Sequence, residues 1–249
     1  MSKRNVLTYT LLMWFYQIDM PVQQSYLWYA SSEESESSDA YHFRPNGSTP
    51  QAVSRSVPLK VARGPLVHEV HQQFDSWVYQ ITRIYKDKEH AEVEFTIGPI
   101  PTENVVGKEI ITSMTTSMST EKAFYTDSNA RDFLKRVRDY RSDWNLTVTQ
   151  PVAGNYYPIN LGIFIADNKS ELSVLVDRAT GGSSINDGEI ELMLHRFYDH
   201  QQERAYTETS FFCLFISRIR GNYYMSINER GTGSRWRRTT GQEIYSPLL

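Results

Sequence analysis

Six histidines, many carboxylates and a single cysteine are the groups in this 249-residue chain with obvious chemical potential. His68 and His71 stand three apart in "HEVH", with Glu69 between them. On a helix that spacing puts both imidazoles on one face, where they could share a metal ion. On a strand it puts them on opposite faces. The surrounding composition is β-like, so no metal pair is expected. There is no His-Glu-x-x-His motif. Gly181, Gly182 and Gly188 mark a turn-rich stretch and not a phosphate-cradling loop. No serine occupies a nucleophile elbow. Cys213 is alone, which excludes a disulfide within the chain and a cysteine-based zinc site. Paired carboxylates could cleave a glycosidic bond, but only at a fixed separation in space that spacing along a chain does not define. The residues by themselves show no catalytic centre.

One stretch concentrates costly side chains where a plain turn would serve. "AYHFRPNGS" (40–48) holds Tyr41, His42, Phe43 and Arg44 between the acidic, serine-rich "ASSEESESSDA" (30–40) and the proline-bearing "STPQAVSRSVPLK" (48–60). Asn46-Gly47 is a strong turn pair. It also begins one of three sequons, at Asn46, Asn145 and Asn168, which are consistent with a secretory route.

The elements that must position these residues read as strands. Apolar residues make up 40% of the chain, enough for a sizeable core. The net charge of −3 lacks the basic bias of a nucleic-acid binder. Sixteen Tyr and five Trp suit a β protein, either as core and cross-strand pairs or as a sugar- or peptide-binding surface. "AEVEFTIGP" (91–99) sets Val93, Phe95 and Ile97 against Glu92, Glu94 and Thr96, the alternation of a sheet with one wet face. "VQQSYLWY" (22–29), "VYQITRIYK" (78–86), "EIITSMTTSMS" (109–119), "WNLTVTQ" (144–150), "GEIELMLHR" (188–196) and "RGNYYMSI" (220–227) extend the series. "LGIFIAD" (161–167) and "LSVLVDR" (172–178) flank Asn168 as a hairpin. Only "NARDFLKRVRDY" (129–140) has a spacing compatible with a helix, through Phe133, Leu134 and Val137 and the Asp132–Arg136 pair. Residues 1–17 carry Lys3 and Arg4 before an apolar run. The run is too short to span a bilayer and no small-residue cleavage site follows, so a strand or a leader of unclear origin is expected. Many short strands divided by Gly, Asn and Pro turns predict an all-β sandwich.

Longer strings then occur in a distinctive order. They are "VQQSYLWY", "AYHFRPNGSTP", "GPLVHEVHQQF", "EHAEVEFTIGPIP", "FYTDSNARDFLKR", "NYYPINLGIFIAD" and "DRATGGSSINDGEIELMLHR", resuming at "RGNYYMSIN" and "RWRRTTGQEIYSPL". Together they resemble the C-terminal β region of family 38 α-mannosidases of the lysosomal or vacuolar type, in a plant-like version. The resemblance covers 18–196 and resumes at 220–228 and 235–248. It breaks at 205–217, where "AYTETSFFCLFIS" replaces a glycine-containing stretch.

The resemblance implies an all-β, galactose-mutarotase-like super-sandwich, here incomplete, of mostly antiparallel strands. It implies that residues 124–136 run as strand and turn. It implies a retaining, zinc-dependent enzyme that removes terminal α-mannosyl residues from mannose-containing oligosaccharides or N-glycans in the vacuole, the lysosome or outside the cell. The zinc ligands and the aspartate nucleophile belong to an N-terminal catalytic domain to which nothing in this sequence corresponds. The chain is therefore expected to hold no catalytic residue and no metal of its own, and is read as a partial product that supports the missing domain. Two residues carry over as substrate contacts: Tyr41 from the "AY…PNG" string, and Arg204, a few residues beyond "ELMLHR". Arg204 precedes Ala205 where the family has glycine. The alternative reading is a non-catalytic carbohydrate-binding or interaction sandwich. Neither nucleic acid nor membrane is expected as a partner.

Overall fold

The computed structural model describes residues 7–10, 20–32, 38, 42–54, 57–102, 106–197 and 217–246. Its strands are β1 (Leu7–Thr10), β2 (Pro21–Ala30), β3 (Gln51–Ala52), β4 (Leu59–Arg63), β5 (Val67–Asp75), β6 (Val78–Tyr85), β7 (Ala91–Ile97) and β8 (Lys108–Thr115). They continue with β9 (Ala123–Ser128), β10 (Asp132–Val137), β11 (Tyr157–Ile159), β12 (Gly162–Ala166), β13 (Ser170–Val176), β14 (Thr180–Ser183), β15 (Glu189–Phe197) and β16 (Ile219–Glu229). One helix, α1, spans Gly233–Tyr245. A seven-stranded sheet runs β1-β2-β8-β15-β14-β11, with β3 also paired to β2. A nine-stranded sheet runs β10-β9-β12-β13-β16-β7-β6-β5-β4. Every strand pairing among the described residues is antiparallel, as the all-β reading expects.

The two sheets stack because each buries one face. Val22, Tyr26, Ile110, Met114, Ile190 and Leu192 project from the seven-stranded sheet. Val93, Ile97, Phe124, Ile163, Leu172, Val174 and Tyr223 meet them from the other. Not all of this interface is apolar. Tyr26 donates to Gln80 Oε1 at 2.7 Å, and Gln24 Nε2 donates to Thr112 Oγ1 at 2.9 Å. Gln80 Nε2 faces Gln24 Oε1 at 3.2 Å, Gln72 Oε1 at 3.3 Å and Thr82 Oγ1 at 3.2 Å. This buried amide ladder spans the sheets and satisfies groups that burial would otherwise penalise. It also explains β6: Gln80 and Thr82 face inward, while Ile81 and Tyr79 face out.

Three local readings are decided here. Residues 129–140 do not form a helix. Asn129 and Ala130 take positive φ (50° and 59°), and Asp127 Oδ2 accepts the Ala130 N–H at 2.8 Å, closing a β9–β10 hairpin. Residues 144–150 do not form a strand. The segment alternates in sequence but finds no partner strand, and Trp144 and Val148 stay exposed. The β12–β13 hairpin turns at Asn168 as expected, with the Asp167 carboxylate accepting the N–H groups of Lys169 and Ser170, each at 2.8 Å.

The sequence reading left α1 unassigned. Its buried positions Gly233, Trp236, Arg237, Thr240 and Gly241 recur at helical spacing. They cover the outer face of the nine-stranded sheet, where Trp236 packs with Leu161 and Leu175. Arg237 is 6% exposed, pairs with Glu171 at 2.9 Å, and lies 3.8 Å from the Phe164 ring centroid. The helix can approach this closely because Gly233 and Gly241 are small. A Cβ on Gly241 would meet Leu161 Cδ1 at 2.7 Å.

Candidate functional site

Residues 42–46, in the loop after β2, lie on the outer face of the seven-stranded sheet, opposite to the main core. β2, β8 and β15 send alternate residues there: Leu27 and Tyr29, Glu109 and Ile111, Glu191 and Met193. Backbone bonds pin the loop. Ser32 N–H donates to Arg44 O and Asn46 N–H to Ala30 O, both at 2.8 Å, and Ser31 bridges to Pro45. Phe43 then wedges edge-on between Tyr29 (5.8 Å between centroids) and Tyr156 (5.5 Å).

Beneath Phe43 lies a buried acid. Glu191 is 1% exposed; Tyr29 donates to both its oxygens at 3.2 Å and Tyr156 donates to Oε2 at 2.5 Å. Two opposing effects act on it. Burial, then the nearby Glu189 charge, penalise the anion, while the phenol hydroxyls favour it. Burial wins, and the carboxyl is pushed up to about 8. Both tyrosine hydroxyls are in turn held well above their ordinary range, chiefly by burial and then by Glu191.

A second buried acid sits further along the ladder. Glu109 lies directly opposite both Tyr29 and Arg196 in the register. Its carboxylate accepts from Arg196 Nε; burial still raises it to about 7, against the pull of that guanidinium. Arg196 also donates from Nη1 to the His42 carbonyl at 3.2 Å and lies 5.8 Å from the Phe43 centroid. One guanidinium thus ties β8 and β15 to the loop.

Above these groups is an open cavity of 540 Å³, lined by Phe43, Tyr156, Tyr157, Pro158 and Met193 among others. Aromatic rings and backbone edges of this kind suit a sugar or peptide better than a small ion. The two buried acids are not a glycosidase pair. Glu191 is opposite Ser113 and Glu109 is opposite Arg196, four residues apart on β8. That is roughly 13 Å of strand, against the ~5 Å of a retaining pair. Both are sealed below the cavity and act as anchors.

Tyr41 and Arg204, expected as substrate contacts, fall outside the described residues, as does most of the divergent stretch 205–217. The sequon asparagines Asn46, Asn145 and Asn168 are all exposed. His68 and His71 point to opposite faces of β5. His71 engages Tyr79 at 2.5 Å and Glu69 at 3.0 Å on the outer face. Among the described residues no three His, Cys, Asp or Glu side chains cluster as metal ligands. No described helix is long and apolar enough to cross a membrane.

The sequence reading missed the set formed by Tyr29, Glu109, Tyr156, Glu191 and Arg196. Its one sequence signal was Glu191, a carboxylate inside the apolar run "IELML".

The profile of the glycosyl hydrolases family 38 C-terminal domain matches residues 16–204. The chain belongs to this family. Its family 38 relatives include the α-mannosidase of Canavalia ensiformis, 61% identical over 93% of this chain and 25% of its own length. The lysosomal α-mannosidase of Homo sapiens is 48% identical over 72% of this chain and 18% of its own. The chain thus spans about a quarter or less of these relatives. The crystal structure of an α-mannosidase from Enterococcus faecalis V583 matches with a TM-score of 0.62 at 12% identity, over 91% of this chain and 28% of that one, which supports the shared family 38 fold.

Proposed function

We propose that this chain is the C-terminal sandwich portion of an α-mannosidase that removes terminal α-mannosyl residues from oligosaccharides or N-glycans in the vacuole or lysosome. The observation that carries the reading is the 61% identity to the Canavalia ensiformis α-mannosidase over nearly the whole chain. The sandwich supports a catalytic domain and presents the loop after β2 as part of its pocket wall. Tyr41 and Arg204 are the proposed substrate contacts. A phenol can donate to a sugar oxygen, and a guanidinium supplies a fixed, forked charge. In the family's reaction one carboxylate attacks the anomeric carbon while another protonates the leaving oxygen. In this reading both carboxylates come from the catalytic domain, and the sandwich rigidifies the wall through Arg196, Glu109 and Phe43.

The test is a graft. This chain replaces the matching quarter of the Canavalia ensiformis enzyme, and hydrolysis of an aryl α-mannoside is followed. An active graft, together with no turnover by this chain alone, is expected. A folded but inactive graft, or zinc-dependent turnover by this chain alone, overturns the proposal. In an active graft, Tyr41→Phe should lower kcat/KM.

A further inference from the structure

We infer that Asn46 carries an N-linked glycan whose first sugars lie in a preformed cleft of this sandwich and brace the loop after β2. The inference rests on the secretory-route part of the proposed function. Asn46, Gly47 and Ser48 form a complete acceptor triplet, all three exposed at the surface. Asn46 also lines a cleft of 370 Å³ between two irregular segments. Arg44, Pro45 and Ser48 form one wall; Thr149, Gln150 and Pro151 form the other.

Both walls are fixed before any sugar arrives. Asn46 N–H is committed to Ala30 O, which stops the residue from swinging away from β2. Gly47 takes φ of +80° with open space around its Cα, so the turn presents no side chain over the cleft. On the far side Asn155 is the anchor. Its Nδ2 donates to Asp139 Oδ1 at 2.7 Å and to Pro151 O at 2.8 Å, and Gly154 N–H donates to Gln150 O at 2.9 Å. Ser183 Oγ donates to Asn155 O at 2.8 Å, tying that segment to β14. The cleft is mixed in chemistry. Proline faces suit the C–H face of a pyranose, and amide and hydroxyl groups suit its hydroxyls and an acetamido substituent. N-acetylglucosamine, the sugar that joins asparagine in such linkages, has these features.

Asn145 and Asn168 differ. Both are exposed, but neither lines this cleft. Asn168 sits at the tip of the β12–β13 hairpin, where the Ser170 hydroxyl is already engaged by Asp167 at 3.2 Å. Glycans at those two sites would project into solvent, whereas the one at Asn46 would lie along protein.

The covalent step is ordinary transfer. Asn46 Nδ2 bonds to the anomeric carbon of a lipid-diphosphate-linked oligosaccharide, that carbon parts from the diphosphate, and the amide gives up one proton. A host transferase acts on the chain as it enters the secretory pathway.

The experiment expresses the full chain through a secretory host that adds high-mannose glycans, then follows release by an endoglycosidase site by site, by peptide mass spectrometry. Asn46 is expected to be occupied. Its glycan should be released from the native protein roughly tenfold more slowly than those at Asn145 and Asn168, because its first sugars lie against the cleft walls and must leave them in a local opening before the linkage can be engaged. The difference should vanish in denaturant. Thr149→Ala with Gln150→Ala should speed release at Asn46 alone. Equal native release rates, or glycans at Asn145 and Asn168 with Asn46 bare, overturn the inference and leave the secretory assignment standing. Three bare sites in protein recovered from the secretory pathway overturn both.

Discussion

Replacing Glu191 by Gln isolates a buried acid whose effect on stability should reverse the usual expectation for a carboxylate. In the folded chain the group is pushed from 4.5 to about 8, mainly by burial. In the unfolded chain it ionises in its ordinary range. Below pH ~4.5 both states hold the proton, so the group is neutral in its effect. Between ~4.5 and ~8 only the unfolded chain loses it. Folding must then take up a proton, and stability falls as pH rises by about 1.4 kcal/mol per unit. Above ~8 both states are ionised and the penalty is constant. From pH 5 to pH 7 the loss is therefore about 2–3 kcal/mol for this one group. Glutamine does not titrate, and Glu109 and the buried His90 contribute to both proteins and largely cancel in the difference. The stability of Glu191→Gln relative to wild type should thus climb by that amount across the interval, a relative gain of about 5–10 °C in Tm for a chain of this size. The assay is thermal unfolding of both proteins at half-unit pH steps, followed by circular dichroism. A difference that stays flat from pH 5 to 8, or that falls as pH rises, would refute the reasoning. It would mean that the two phenol donors hold Glu191 as an anion.

Two further substitutions probe the two faces of the nine-stranded sheet. Glu171→Ala leaves Arg237 charged and unpaired under α1, so urea denaturation should show a loss of about 3–5 kcal/mol; the double change Glu171→Leu with Arg237→Met should recover most of it. Gln80→Leu removes the acceptor of Tyr26 and a donor to Gln24 in the interior, and should cost about 2–3 kcal/mol by the same assay.

Much of the strand order was legible because the physics was local. Val93, Phe95 and Ile97 alternate with Glu92, Glu94 and Thr96, and one wet face follows directly. Alternation misled where it lacked a partner. Trp144 to Gln150 has the pattern of a strand, but a strand exists only through its neighbour, and no sheet edge receives this segment. Spacing at Phe133 and Val137 left a helix open, whereas the family resemblance implied the strand and turn that Asp127 and two residues of positive φ impose just upstream. The real helix was hidden because its buried side includes Arg237, Thr240 and two glycines, residues that composition places on the surface.

By itself the sequence determined the class of fold, the period of most strands, the hairpin at Asn168 and, through its distinctive strings, the family. Each is written in neighbouring residues or in their order. Only the tertiary structure decided which polar groups are inside. Glu109, Glu191, Gln80 and Arg237 look like surface residues along the chain. The pairing of β8 with β15, the stacking of two sheets and the docking of α1 take them out of water and hand each a specific partner. The same distant contacts turn "HFRPN" (42–46) from a polar stretch into a clamped one. Arg196 lies 154 positions beyond His42, and only the folded register brings its guanidinium to that carbonyl.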